Sequence, residues 1–388
     1  MFLRIWDMSY RKIGDLIQLV DHRNKDLSVT YLVGLTINKK FIPSVANIIG
    51  TDMSNYKLIR KNQFACSTMQ VRRDKKMPIA LLKNVDIAII SQAYPVFEIR
   101  DENEILPDYL MLWFSRPEFD REACFHAVGG VRGSLEWEDF CGMELPVPSI
   151  EEQNKIITQY QSIENKIKVN EQICEKLEAT AQALYYNMVE ENQCKESILK
   201  DLCSFQEGYV NPSQEYPKYF DGNIKWLRAN DVNGGFILNT SRTLTEEGFN
   251  SAGTSALLFS PQTIVITKSG TIGRLGILCD YMCGNRAVIN IKPNEECNLP
   301  FIFFVLKTKY NELIDMAVGS AQANLYVPIL ASLKIKIPGK EVLNHFNLVG
   351  NNLLELIKFK TQENQKLTQL QSLLLSRLAV EKKLENVL

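Results

Sequence analysis

The chain has 388 residues, 45% of them hydrophobic and 23% charged, with a net charge of −1. That length exceeds what one hydrophobic core organises and predicts two or three domains of roughly 100 to 200 residues each. The composition excludes disordered and fibrous classes, no apolar run approaches the roughly eighteen residues of a membrane span, and the near-neutral charge excludes a polycation that coats nucleic acid, so any such contact must come from local patches.

The opening MFLRIWDMSYRKIGDL carries no charged-then-apolar leader pattern, which points to a cytoplasmic protein. From about residue 10 to 148 short apolar runs such as TYLVGLTI, VDIAII and PVFEI are cut by turn residues, the texture of strands in an α/β or mostly β part. Within it, Lys57, Arg60, Lys61, Arg72, Arg73, Lys75 and Lys76 face a single acid, Asp74, a net of +6 in twenty residues. Such a block attracts polyphosphate. Pro146 and Pro148 close this part, and Ile150 to Met188 follows without Gly or Pro, which predicts a long helix. Ile156, Tyr160, Ile163, Ile167, Cys174, Leu177, Ala181, Leu184 and Met188 fall on a heptad seam, with Asn170 as a polar layer.

The strand texture returns from 198 to 338. Lys225, Trp226, Arg228 and Asn230 cluster after the turn at Asp221-Gly222, and the strand Thr263 to Thr267 leads into Lys268, Ser269, Thr271 and Arg274, with Arg286 beyond. Arg, Lys, Asn and Gln on loops are the residue types that reach base edges, while Ser and Thr suit phosphates. After Pro338 a second helix carries Phe346, Leu353, Ile357, Leu367, Leu374 and Leu378 on one stripe, interrupted by Lys360 and Asn364. The domain reading is 1–148, a helix over 149–192, 193–338, and a helix over 339–388.

These parts are two copies of one plan. VGGVRGSLEWEDFCGMELPVP from Val128 and VGSAQANLYVPILASLKIKIP from Val318 align without a gap, matching Val128/Val318, Gly129/Gly319, Leu135/Leu325, Met143/Leu333, Val147/Ile337 and Pro148/Pro338. LPDYLML at 106–112 faces LPFIFFV at 299–305. A helix of about forty residues runs roughly 60 Å, longer than a domain of this size is wide, so most of its seam must pack elsewhere. The simplest partner is the other helix, in an antiparallel coiled coil with Asn170 against Lys360 or Asn364 fixing the register. The predicted fold is α+β: two tandem α/β parts, each followed by a long helix, with the helices paired as a ruler between them.

The chemistry is mostly negative. There is no GxxxxGK[ST], HExxH, GxSxG or CxxC pair. The nine cysteines are scattered and read as reduced thiols; Cys279 and Cys283 have none of His22, His126 or His345 near them in sequence, so no metal site is predicted. KSGTIGRLG at 268–276 has glycine-rich spacing but lacks the acid of a dinucleotide site. No catalytic residue is assigned. What remains is a duplicated scaffold with dissimilar basic loops, suited to reading two different DNA sequences at a fixed spacing. Two other readings stay open: a coiled-coil scaffold joining protein partners, which leaves the +6 segment unexplained, and a stand-alone DNA-modifying enzyme of unfamiliar motif.

The assembled motifs resemble the specificity subunit of Type I restriction-modification systems. PVPSIEEQNKI at 146–156 before the long helix resembles the family's conserved region, and KSGTIGRLG at 268–276 with GNRAVINI at 284–291 resembles the core of its target-recognition domain. The likeness spans nearly the whole chain. It implies two target-recognition domains in pseudo-twofold arrangement, reading a bipartite double-stranded DNA site with a nonspecific gap. It also implies two modification (methyltransferase) subunits docked on this chain and restriction subunits joining them. S-adenosylmethionine, ATP and Mg would then sit on those partners and no cofactor on this chain. The second copy departs from the pattern, with Val342 and Leu343 where the first has Glu152 and Gln153.

Overall fold

A computed structural model of the chain describes residues 9–44, 50–128, 133–294, 298–319 and 323–378. Gly129 of the repeat, Cys297 and both chain ends of the domain reading lie outside the described residues. The chain falls into two compact units, 1–166 with 366–388 and 167–365.

The first unit is built on a four-stranded antiparallel sheet of β1 (Ile17–Val20), β2 (Phe64–Cys66), β3 (Ile79–Leu81) and β4 (Val96–Ile99), in the order β1-β4-β2-β3. Successive side chains in a strand point to opposite faces, and here both faces are covered. Phe64, Cys66, Phe97 and Ile99 enter one core, while Ala65 and Val96 enter another with Val33, Ile59 and Ile90. Phe64 and Phe97 are register partners whose rings stack at 5.1 Å. Two helices, α1 (Pro107–Phe114) and α2 (Pro117–His126), each opening on a proline suited to a first helical turn, cover the larger core through Phe114 and Phe119. A ribbon of Ser9–Lys12 with Glu144–Val147 leads into helix α3 (Ile150–Glu191).

The second unit repeats the plan. Its sheet is β5 (Cys203–Glu207), β6 (Phe236–Ile237), β7 (Ile264–Thr267), β8 (Leu275–Leu278) and β9 (Val288–Pro293), in the order β5-β9-β7-β8-β6. The first four of that order match those of the first unit, and β6 is an addition lying parallel to β8. Ile264 and Ile266 face the core under helix α4 (Leu299–Thr308), and Val265 faces the opposite one. The ribbon Cys194–Ile198 with Lys334–Pro338 precedes helix α5 (Lys340–Arg377). Among the described residues the cysteines are free thiols, and no helix is long and apolar enough to cross a membrane.

The long helices pair antiparallel within each unit. In the first, Ile157 shares a core with Leu375 and Leu378. In the second, buried Asn170 donates from Nδ2 to Asn364 Oδ1 at 2.7 Å and to Glu363 Oε2 at 3.0 Å. Lys360 joins this polar layer through Glu363, at 2.9 Å. The heptad reading errs at one position: Leu184 is 38% exposed and Tyr185, 5% exposed, is inside. Here α3 packs on α4 as well as α5, with the Tyr185 ring 6.1 Å from both Phe301 and Phe346, and the buried stripe is wider than a two-helix seam.

The departure at Leu343 also has a physical account. Gln153 is fully buried near the start of α3, where its side chain accepts from Leu106 N at 2.8 Å and donates to the carbonyls of Glu104 and Pro148 at 2.9 and 2.8 Å. In the second unit the amide has moved one helical turn on. Asn347, 1% exposed, accepts from Phe301 N at 3.3 Å in the first turn of α4, and Leu343 fills the vacated place with carbon.

Candidate nucleic-acid interface

In the first unit the basic residues nearest one another sit on the connection from β2 to β3. Gln70 and Lys75 adopt left-handed backbone at φ 66° and 52°, bracketing the single helical turn Val71–Asp74. Val71 is buried and anchors the turn, and Arg72, Arg73, Lys75 and Lys76 are left exposed. The Arg73 guanidinium grips its neighbour Asp74 at 2.6 and 3.0 Å and holds that carboxyl below its ordinary value. No ion pair of Arg72, Lys75 or Lys76 occurs among the described residues. Beside this turn lies the Val128–Ser134 bridge. Gly133, at φ 41°, lies so close that a Cβ there would come within 2.4 Å of Arg72 Cβ, and its carbonyl accepts from Arg72 N at 3.3 Å.

The +6 run is therefore not one patch. Arg60 and Lys61 are exposed in the turn that enters β2, at the opposite end of that strand from Arg72–Lys76. Lys57 is turned inward, donating to the Tyr94 carbonyl at 3.0 Å with Asp21 at 3.8 Å. Charge density along a sequence does not survive a strand that carries its two ends apart.

The equivalent connection in the second unit, β7 to β8, is Lys268–Arg274. Gly270 and Gly273 supply its left-handed turns at φ 75° and 84°, and Thr267 Oγ1 accepts from Arg274 N at 2.9 Å. The residue after the Val318–Asn324 bridge meets it, as the residue after the Val128–Ser134 bridge does in the first unit: Leu325 N donates to Lys268 O at 2.9 Å, and Leu135 N to Thr68 O at 2.9 Å. Lys268, however, points inward to Glu207, 3.0 Å away. Burial alone would raise the Glu207 carboxyl, but hydrogen bonds from Tyr209 and Lys268 outweigh it and hold the group below its ordinary range.

Two further sequence candidates are also spent on internal bonds. Lys225 donates to the Leu238 carbonyl and to Asp280, each at 2.8 Å. Arg228 donates to Ser241 Oγ at 2.7 Å with its guanidinium 5.3 Å from the Trp226 ring centre. Asn230, Thr271, Arg274 and Arg286 are exposed and Ser269 is half-buried. Arg286 neighbours the connection, since Lys268 N donates to Ala287 O at 2.8 Å. Arg242, alone in Ser-Arg-Thr and without a charge run to signal it, stacks 4.0 Å from the Phe220 ring centre and donates to Gln214 at 2.5 Å.

Each unit thus offers a turn-rich connection at the end of a central strand, held by a hydrogen bond from the residue after a two-residue bridge, with exposed cations and neutral hydrogen-bonding groups. Side chains of these types are the ones that reach phosphates and base edges. Among the described residues no group of three or more His, Cys, Asp or Glu side chains is placed to hold a metal ion.

Known proteins share this plan. A family model described as the Type I restriction modification DNA specificity domain matches residues 7–179 and again residues 191–369. The chain is 20% identical over 459 aligned positions to the specificity subunit of the HindI Type I restriction enzyme of Haemophilus influenzae, covering 96% of this chain and 98% of that one. The solved S subunit of a Type I restriction-modification system from M. genitalium shares the fold, with a TM-score of 0.57 at 15% identity and 97% of each chain covered. With one match to each copy of the repeat, the chain belongs to the family of Type I restriction-modification DNA specificity domains.

Proposed function

We propose that the two units read the two halves of a bipartite, asymmetric target in double-stranded DNA. In this reading the chain directs two modification subunits, and restriction subunits through them, to that target. The observation that carries it is the placement of two chemically different connections, Ser67–Pro78 and Lys268–Arg274, between equivalent strands of a repeated sheet. A duplicated frame conserves geometry, so different side chains at the same place select different sequences. The paired helices would set the gap between half-sites. Phosphate contacts fall to Arg72, Lys75 and Lys76, and base contacts to Asn230, Thr271 and Arg274. No catalytic role is assigned to this chain: S-adenosylmethionine, ATP and Mg belong to the partner subunits, in the cytoplasm.

The test is an exchange. Replacing residues 20–140 with the corresponding part of another family member, co-expressed with the modification subunit, should change one half of the methylated sequence and leave the other. A change in both halves, or in neither, overturns the reading.

A further inference from the structure

In the first unit the hairpin of Val33–Leu35 with Phe41–Pro43 stands apart from the main sheet and holds only three register pairs. A two-stranded hairpin is marginal by itself. Its tip is nevertheless closed: Thr36 N donates to Lys40 O and Lys39 N to Thr36 O, each at 3.0 Å, and Lys40 N donates to Thr36 Oγ1 at 3.2 Å. Lys39 holds left-handed backbone at φ 60°, where glycine or asparagine is usual.

The Lys39 side chain accounts for that conformation. Its ammonium turns inward to Asp120 Oδ1 at 2.8 Å, donates to the Phe114 carbonyl, and lies 5.0 Å from the Phe119 ring centre, with the two ion-pair side chains 9% and 12% exposed. The same Asp120 oxygen accepts from Met77 N at 3.1 Å, the residue that follows Lys76. One buried carboxylate therefore grips both the hairpin tip and the end of the basic connection. Burial draws the Lys39 ammonium below its ordinary value despite Asp120, and the charge of Lys76 pushes the same way, as close neighbours do.

A lysine so placed makes no outward contact; it fixes its neighbours. Asn38 and Lys40 flank it, both exposed. We propose that Asn38 and Lys40 belong to the DNA-reading surface of the first unit, with Lys39 and Asp120 as positioning residues that seat the hairpin tip beside Arg72–Lys76. The chemistry fits: an asparagine amide pairs with an adenine edge and a lysine with a phosphate. Strain retained at an exposed tip is expected where the position serves a contact. The proposal rests on the DNA-reading function given above.

The full chain, alone or with its modification subunit, would be offered a randomised duplex pool, and the retained DNA sequenced. Asn38→Ala should lose preference at one position of the first unit's half-site by roughly ten- to a hundredfold and leave the other half-site alone. Lys40→Ala should weaken binding to all sequences and flatten the salt slope by about one. Asp120→Asn, which can still accept from Met77 N but loses the charge holding Lys39, should lower the melting temperature yet reproduce the Asn38→Ala loss in a folded chain, as judged by a single cooperative melting transition. If Asn38→Ala and Lys40→Ala bind as wild type while Arg72→Ala with Lys76→Ala flattens the slope, the hairpin proposal falls and the DNA-reading function stands. If that second pair is also without effect, both fall.

Discussion

In the first unit the connection at the end of the central strand leaves Arg72, Lys75 and Lys76 in solvent; in the second, the lysine that opens the same connection is folded inward onto Glu207. The neighbouring Lys225 and Arg228 are likewise bound to Asp280 and to Ser241. A solvated cation near phosphate gains by counterion release and acts over about a Debye length, whereas a paired, half-buried cation contributes only the position of the backbone it holds. On the function proposed above, one site of the fold would supply attraction in one copy and geometry in the other. The first unit should account for most of the salt dependence of binding, and the second for contacts that salt scarcely touches.

The largest effect follows directly. Alanine at Arg72, Arg73, Lys75 and Lys76 together should flatten the slope of log affinity against log salt by about two to four, since each phosphate contact contributes nearly one. Because Arg73 is already held by Asp74, the lower part of that range is favoured. Alanine at Arg274 and Arg286 should flatten it by one at most, since Arg274 is assigned to a base edge, and Arg274 alone should relax one position of the second half-site. Equal losses from both sets, on every sequence, would erase the distinction between the units.

The buried amides sharpen the comparison through stability. Gln153→Leu strands one N–H and two carbonyls, and at about 1 kcal/mol each it should cost about 3 kcal/mol. Asn347→Leu strands only Phe301 N and removes an Nδ2 that has no partner, so its cost should stay under about 1 kcal/mol. Denaturant unfolding of the two variants would decide, and similar costs would mean that the amide did not simply move one turn.

A smaller effect concerns Lys268. The Glu207 carboxyl is held below its ordinary value in the folded chain, so its contribution to stability is present above the unfolded value and is lost as pH falls through the folded one. Lys268→Met should cost about 1 to 2 kcal/mol at pH 7, where Glu207 is charged and half-buried. The gap to wild type should narrow as pH drops below the carboxylate range. Lys75→Met should cost nothing at either pH. A Lys268→Met deficit that persists unchanged into acid would show that the lysine stem, not its charge, matters.

How much of this was legible in the sequence depended on the range of the interaction. The repeat, the proline-closed ribbons and both helices rest on local patterns, and the polar layer was readable because Asn170 and Asn364 each interrupt an otherwise apolar stripe. Whether a given cation faces water was not readable. Lys268 turns inward because of Glu207, which lies 61 residues earlier on the far strand β5. Lys39, in the plain run Thr-Ile-Asn-Lys-Lys, turns inward because of Asp120 on α2. Tyr185 displaced Leu184 because α4 arrives on that side of α3. Only the shift of the buried amide from Gln153 to Asn347 left a sequence signal, an amide four residues further along the same helical face.

The smallest effect is the most diagnostic of how the helices choose their partners. In the first unit the helices meet through Ile157, Leu375 and Leu378, all apolar, while the second unit places Asn170 against Asn364 and Glu363. Asn170 also keeps an Oδ1 without a partner, so this layer is an imperfect bargain energetically and is expected to serve register. Asn170→Leu alone removes the bonds that Asn364 and Glu363 accept from it, and Asn364→Leu alone removes the better of the two bonds to Asn170; each should cost about 1 kcal/mol. Together they place leucine against leucine, and the double variant should return to wild-type stability or exceed it by about 1 kcal/mol. The sign of the coupling, measured by thermal unfolding of the four chains, is the test: additive losses would mean that the two asparagines act separately and do not form one layer.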